Sequence, residues 1–218
     1  MAIILEKGQR INLKKADNQN LEQFCVGANW GAIKIKKFLG TKTVDVDLDL
    51  SSALFDSRGN LCDHLYSPRY SYDLLARFGL APGKLDTVDG ACHHTGDNLT
   101  GDTDGDDGLD NEIITVDLRK ISPNVEQIFF FLNNVGKEDF SQIPYSKIRI
   151  FEGTPARVNS MFAEYDVSAQ PAFAGKRALI LGKLYKHNGE WKFHAIGDPT
   201  EDVFIGQTIA RIAKDYVK

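Results

Sequence analysis

Between Gly96 and Glu112 the chain reads GDNLTGDTDGDDGLDNE, with seven acidic side chains and no basic one. Carboxylates crowded this closely repel. At about 4 Å each like-charged pair costs on the order of 1 kcal/mol in water, and more where solvent is excluded. The segment is internal, and a strand-like run follows it at once, Ile113 to Leu118 (IITVDL). It therefore reads as an ordered loop that holds a hard cation rather than as a disordered acidic tail. Without those seven acids the net charge of −4 would become +3, so the acidity is local.

The loop supplies side-chain oxygens from Asp97, Asn98, Asp102, Asp104, Asp106, Asp107, Asp110 and Glu112. Its glycines let the backbone turn tightly enough for carbonyls to point inward. Calcium takes six to eight oxygens in forgiving geometry, whereas magnesium demands a stricter octahedron and keeps its waters, so calcium fits better. Asp102, Asp104 and Asp106 match the first alternating ligands of an EF-hand. The required glycine then falls on Asp107 and the final glutamate on Ile113, so the loop must have its own geometry. A second acidic group is Asp45, Asp47 and Asp49 in VDVDLDL. On one strand these would share a face at about 6.6–6.8 Å spacing. Aspartate is depleted in strands, so three in a row suggest more than a wet face.

The rest of the chain is dominated by strand patterns. Short runs occur at Ala2–Leu5, Ile11–Leu13 and Phe24–Trp30, and period-2 alternation opens Val44–Phe55. Val125–Leu132 is almost continuously apolar, as in a strand buried on both faces. Strands are also expected at Ile148–Phe151, Met161–Val167, Ala178–Tyr185 and Trp191–Ile196. The last two flank Asn188-Gly189, a strong type I′ hairpin signal. Two helices are expected, a short one at Ser71–Phe78 stopping at Gly79, and an amphipathic one carrying Phe204, Ile205, Ile209, Ile212, Ala213 and Tyr216. The pattern predicts a mainly β protein: one domain over residues 1–218, an antiparallel β-sandwich with a C-terminal helix and one short inserted helix.

Other chemistry is poorly supported. Three cysteines and no CxxC argue against a disulfide framework or a zinc finger, and for a reducing, cytoplasmic setting. Cys25 and Cys62 are expected to be buried as small apolar residues, and His93 and His94 to brace the acidic loop. The N-terminus has too short an apolar run for a signal peptide, and no stretch reaches the length of a membrane span. Lys34, Lys36, Lys37 and Lys42 read as a solvated loop or strand edge, and no basic tract marks a nucleic-acid partner.

The sequence resembles the TerD tellurium-resistance family of bacterial stress proteins. LEKGQRINL, VGANW, VDVDLDLSSALF, HTGDNLTGDTDGDDGLDNEIITVDL and KLYKHNGEWKFHAIG occur in the family's order. The resemblance implies a calcium-binding β-sandwich with more than one ion, and the lack of a nucleophile elbow, Walker loop or GxGxxG in the sequence points to a non-enzymatic module. Carried across, the ligands are Asp97, Asn98, Thr100, Gly101, Asp102, Asp104, Asp106, Asp107 and Glu112, with Asp47 and Asp49 closing the site from the strand. It further implies a scaffold or interaction role beside other stress-resistance proteins of the same system, with the inner membrane surface as a further contact. The alternatives are a calcium-dependent binder of lipid phosphate or carbohydrate, and a metal-assisted phosphoester hydrolase. The chain departs from the pattern at two places. Gly31 follows Trp30 where the family usually has aspartate. Gly108 to Asn111 interrupt a GDGDDE run, which either supplies Asp110 as a replacement ligand or moves Glu112 off the ion.

Overall fold

The computed structural model describes residues 2–15, 17–38, 40–166 and 171–217. In chain order the first strands are β1 (Ile3–Ile4), β2 (Arg10–Asn12), β3 (Gln23–Trp30), β4 (Ile33–Lys37), β5 (Gly40–Val44), β6 (Leu48–Phe55) and β7 (Leu61–Leu65). The short helix α1 (Tyr72–Ala76) follows, then β8 (Cys92–His94), β9 (Glu112–Asp117), β10 (Gln127–Asn134), β11 (Ser146–Thr154), β12 (Arg157–Asp166), β13 (Ala178–His187) and β14 (Glu190–Thr200). Helix α2 (Ile205–Arg211) continues as a π-helical turn, Ile212–Tyr216.

The strands form two six-stranded sheets, ordered β1-β12-β11-β3-β9-β8 and β2-β14-β13-β10-β6-β7, with β4 and β5 as a separate hairpin. Pairing is antiparallel apart from the short β1–β12 pair. The antiparallel sandwich with a C-terminal helix is thus what the chain forms. One face of β10 (Ile128, Phe130, Leu132) fills the core between the sheets. The other (Phe129, Phe131) packs with Phe55, Ile205, Ile209 and Ile212 beneath α2. That explains the unbroken apolar run: both faces of this strand lie away from water. At the Asn188-Gly189 turn both residues have positive φ, 54° and 78°, and His187 pairs with Glu190.

Several expectations change. Val44–Phe55 is not one strand. Residues 45–47 are extended coil between β5, which folds back on β4, and β6. Asp45 is therefore exposed and separated from Asp47 and Asp49. Alternation reads the same in a strand and in an extended linker, so the pattern could not locate the break. The strand anticipated at Met161–Val167 runs over Arg157–Asp166, and Val167 lies outside the described residues. Cys25 and Cys92 are buried whereas Cys62 is exposed, reversing the expectation for Cys62.

Trp30, fully buried at the end of β3, organises the segment between β8 and β9. Its indole N–H donates to the Val46 carbonyl at 2.8 Å, and its backbone N–H to Asn111 Oδ1 at 2.7 Å. Its carbonyl accepts from Asp102 N–H at 2.9 Å. One residue thus fixes the coil before β6 through its side chain and both halves of the acidic loop through its backbone. Trp30→Phe leaves the buried Val46 carbonyl without its donor. It should cost about 1–3 kcal/mol in urea unfolding and speed amide exchange across residues 98–111.

Candidate metal centre

The acidic residues divide into two groups. Asp47, Asp49 and Asp97 each offer a carboxylate oxygen, and these three atoms lie within 4.8 Å of one another. Asp102, Asp106 and Asp107 form a second such group farther along the loop. Asp104 is exposed and belongs to neither.

The first group is built where the sheets meet. β7 stops opposite Ser52, so the edge of β6 at Leu50 lacks a strand neighbour. Two side chains from the other sheet replace it. Glu112 Oε2 accepts Leu50 N–H at 2.7 Å, and His94 Nε2 faces the Leu50 carbonyl at 3.0 Å. His94 Nδ1 accepts Gly96 N–H at 2.9 Å, which leaves the ring proton on Nε2. Glu112, only 1 % exposed, also accepts Asn98 N–H through Oε1 at 2.8 Å. Glu112 therefore braces the group with both oxygens engaged. Asn98 Oδ1 caps the next turn, accepting the N–H groups of Thr100 and Gly101 at 3.0 Å each. Thr100 carbonyl accepts Val46 N–H at 3.0 Å. Asn98, Thr100 and Gly101 thus shape the loop around the carboxylates.

Little neutralises these acids. Arg69 Nε lies 3.2 Å from Asp97 Oδ2 but is largely exposed, and Ser67 donates to the same oxygen at 3.3 Å. Asp47 Oδ1 and Asp97 Oδ1 are buried with no hydrogen-bond donor. The consequence is visible in proton affinity. Burial first, then the Asp97 and Glu112 charges, push Asp47 up to about 6. Burial likewise raises Asp49, with Glu112 and Asp97 adding to it. Burial raises Tyr70, with the adjacent Asp49 next in weight. Hard oxygen donors, two of them orphaned and all crowded together, are the donor set that a calcium ion satisfies.

The second group is compensated from within the protein. β11 and the residue before it send Tyr145, Lys147 and Arg149 toward the loop at alternate positions. Tyr145 donates to Asp102 Oδ2 at 2.7 Å, Lys147 to Asp106 Oδ2 at 2.7 Å, and Arg149 Nε to Asp110 Oδ1 at 2.7 Å. Asn111 Nδ2 donates to Asp102 Oδ1 at 2.8 Å and Asn29 Nδ2 to Asp106 Oδ1 at 3.1 Å. The Lys147 hydrogen bond holds Asp106 below its ordinary range. Asp107 Oδ1 accepts Leu109 N–H at 2.8 Å. Asp110 turns away from both groups onto the sheet, where its carboxylate occupies the space a side chain at Gly27 would need. Gly31 has the same relation to Tyr145, whose ring lies 2.6 Å from a Cβ built there. An aspartate at position 31 and this placement of Tyr145 exclude one another.

Sequence reasoning found the acids and missed their partners. Tyr70, Ser67 and Arg69 come from a segment without a motif. Lys147 and Arg149 did carry a signal, two bases at strand period with an acidic loop to satisfy. Of the two histidines expected to brace the loop, His94 does so, while His93 is exposed and pairs with Asp86. Burial pushes Cys25 up to about 11 and raises Cys92 and Cys62 as well, so all three thiols stay protonated at neutral pH.

The fold and site define a two-sheet antiparallel sandwich with paired acidic groups gathered from a coil, a strand and one glycine-rich loop. The chain belongs to the TerD family: the TerD domain model matches residues 81–216. It is 32% identical over 220 residues to stress response protein SCP2 of Bacillus subtilis (strain 168), covering 97% of this chain and 99% of that protein. It is 29% identical over 218 residues to tellurium resistance protein TerZ of Serratia marcescens, covering 99% and 97% respectively. A crystal structure of a telluride resistance protein (TerD) homologue from Streptomyces coelicolor A3(2) shares the fold. There the TM-score is 0.59 and the identity 14%, with 91% of this chain and 99% of that one covered. No helix among the described residues is long and apolar enough to cross a membrane.

Two outcomes follow from the electrostatics. Asp47 has a raised folded-state affinity for its proton, so its ionisation opposes folding as pH rises from about 4 through about 6. In metal-free protein, Asp47→Asn should melt above wild type at pH 7.5, and the gap should close at pH 4.5. Thermal melts at the two pH values check this. Arg149→Met should destabilise by about 3–5 kcal/mol in urea, because it strands the buried Asp110 charge. Adding Asp110→Asn should recover part of that loss.

Proposed function

We propose that this protein is a calcium-binding, non-enzymatic module of a bacterial tellurite- and stress-resistance system, working as a scaffold or interaction protein. The observation that carries the reading is the group of Asp47, Asp49 and Asp97, crowded within 4.8 Å with orphaned buried oxygens. Bound there, calcium would offset their repulsion and tie the loop to β6. Asp102, Asp106 and Asp107 would hold a second ion, in competition with the Lys147 ammonium. The resistance role rests on the names of the relatives and on shared family membership.

Calcium at 100 times its dissociation constant adds ~2.7 kcal/mol of stability. For a chain of this size that raises the melting midpoint by about 5–10 °C. Calorimetric titration should give saturable calcium binding that Asp49→Asn weakens strongly. Asp104→Asn and Asp110→Asn should keep the calcium-induced shift. A melting curve indifferent to both calcium and chelator would sink the proposal.

One observation favours a second reading, calcium-dependent attachment to lipid phosphate. The β4–β5 hairpin leaves the sandwich directly between Trp30 and Asp47, and it carries exposed Lys34, Lys36 and Lys42 and a fully exposed Phe38. Such a hairpin could set an aromatic ring into a bilayer surface while its lysines meet anionic headgroups. Sedimentation with anionic liposomes, with and without calcium, and again with Phe38→Ala, decides between attachment and a purely protein-facing role.

A further inference from the structure

The outer face of the second sheet holds a basic concavity that the acidic centre does not use. Arg10, Lys183, His187, Lys192, His194 and Tyr216 line an open hollow of about 600 Å³ beside the C-terminal π-helical turn. It lies at the far end of the sheet. Along β10, Asn133 neighbours Asp49, whereas Gln127 neighbours Tyr185, six residues or roughly 20 Å away.

Register makes this cluster unusual. Lys183 sits opposite His194, and His194 opposite Arg10, in one row across three strands. Lys192 stands in the next row, opposite Tyr185. Directly opposed side chains have Cβ atoms about 4.5–5.5 Å apart, and like charges so placed destabilise a sheet. His194 registers the crowding: burial first, then Arg10 and Lys183, hold it below the usual imidazole range. Asp215 is the one acid in the lining. Among the described residues, Arg10, Lys192 and His194 have no ion-pair partner. Acids are not in short supply: the chain carries net charge −4, and nearby Lys7, Lys14 and Lys186 pair with Asp198, Glu190 and Glu126.

One ammonium of the lining is held in place. Lys183 Nζ donates to Gln127 Oε1 at 2.7 Å and to the Tyr216 carbonyl at 3.0 Å, and lies 5.1 Å from the centre of the Phe129 ring. An anchored ammonium with a guanidinium and a second ammonium in the same lining match a multiply charged oxyanion. Tyr185, Tyr216 and Ile196 supply apolar wall for whatever the anion is attached to.

We propose that this hollow binds the phosphate group of a small soluble organic molecule through Lys183, Arg10, Lys192 and His194, independently of any metal. A concave site of this size suits a free ligand better than a flat bilayer. The probe is inorganic pyrophosphate, titrated calorimetrically into the full chain with a chelator present, so that success or failure at the calcium centre does not bear on the outcome. Saturable binding is expected, weaker at higher salt. Arg10→Ala and Lys192→Ala should each weaken it by at least about tenfold, the loss typical of a hydrogen bond to a charged group. The His194 imidazole NMR signals should move during the wild-type titration. Because Arg10 stands in a like-charged row and Lys192 lines the same basic hollow without an ion-pair partner, both variants without pyrophosphate should melt at or above the wild-type temperature, which separates lost binding from lost folding. Pyrophosphate should raise the midpoint of wild type and leave a variant combining Arg10→Ala with Lys192→Ala unmoved. No saturable binding at millimolar pyrophosphate, or equal binding by the variants, overturns the proposal. So does calcium-free sedimentation with anionic vesicles in the absence of pyrophosphate binding, since that assigns the bases to a lipid surface.

Discussion

An unpaired stretch of strand edge governs this molecule. Leu50 in β6 lies beyond the last residue of its neighbouring strand, and its N–H and C=O would be buried without partners. An orphaned buried backbone group costs about as much as a lost hydrogen bond, so something must meet it. Glu112 and His94 reach across from the opposite sheet to do so. That requirement places a carboxylate at 1 % exposure in the middle of the sandwich end. The Glu112 charge then falls on Asp47 and Asp49 and helps to raise both. The electrostatic character of the centre thus begins as a solution to a backbone problem.

The two acidic groups answer crowding differently. The Asp47–Asp49–Asp97 group leaves its repulsion mostly unresolved, with orphaned oxygens and one exposed arginine nearby. The outer group is held by Tyr145, Lys147, Asn111 and Asn29. Under the proposed calcium reading, the first group gains most from an ion, because it has the most strain to lose. The outer group is ordered in advance and must release an ammonium before it can take one. Occupancy would then run in sequence, and the charge on the loop surface would change in two steps.

How much could be read from the sequence follows from how local each signal is. The Asn188-Gly189 turn, the two-faced burial of β10 and the amphipathic C-terminal helix rest on residues within a few positions of each other, and they were legible. The extent of β6 was not, because VDVDLDL alternates whether or not its first residues pair with a strand. The acids of the centre were conspicuous, yet their roles were hidden. Glu112 looks like every other acid in the run until its distance to Leu50 is known. Tyr70 is one tyrosine in a segment of unremarkable composition, and only tertiary packing brings it beside Asp49. Lys147 and Arg149 lie about forty residues from the acids they meet, and their strand-period spacing shows two bases on one face without showing which acids they face.

Gly27 gives up its side-chain volume to the Asp110 carboxylate, and that carboxylate is paired to Arg149, the residue directly opposite Gly27 on β11. Each of the three is tolerable only in the presence of the other two. A larger residue at 27 expels the aspartate, a neutral residue at 110 strands the arginine, and a shorter residue at 149 strands the aspartate. The trio should therefore drift as a block: related chains that lose the glycine should have lost the aspartate and the arginine with it. The stretch from Gly108 to Asn111 and the glycine eighty residues before it would then have a shared history, although nothing in the linear sequence connects them.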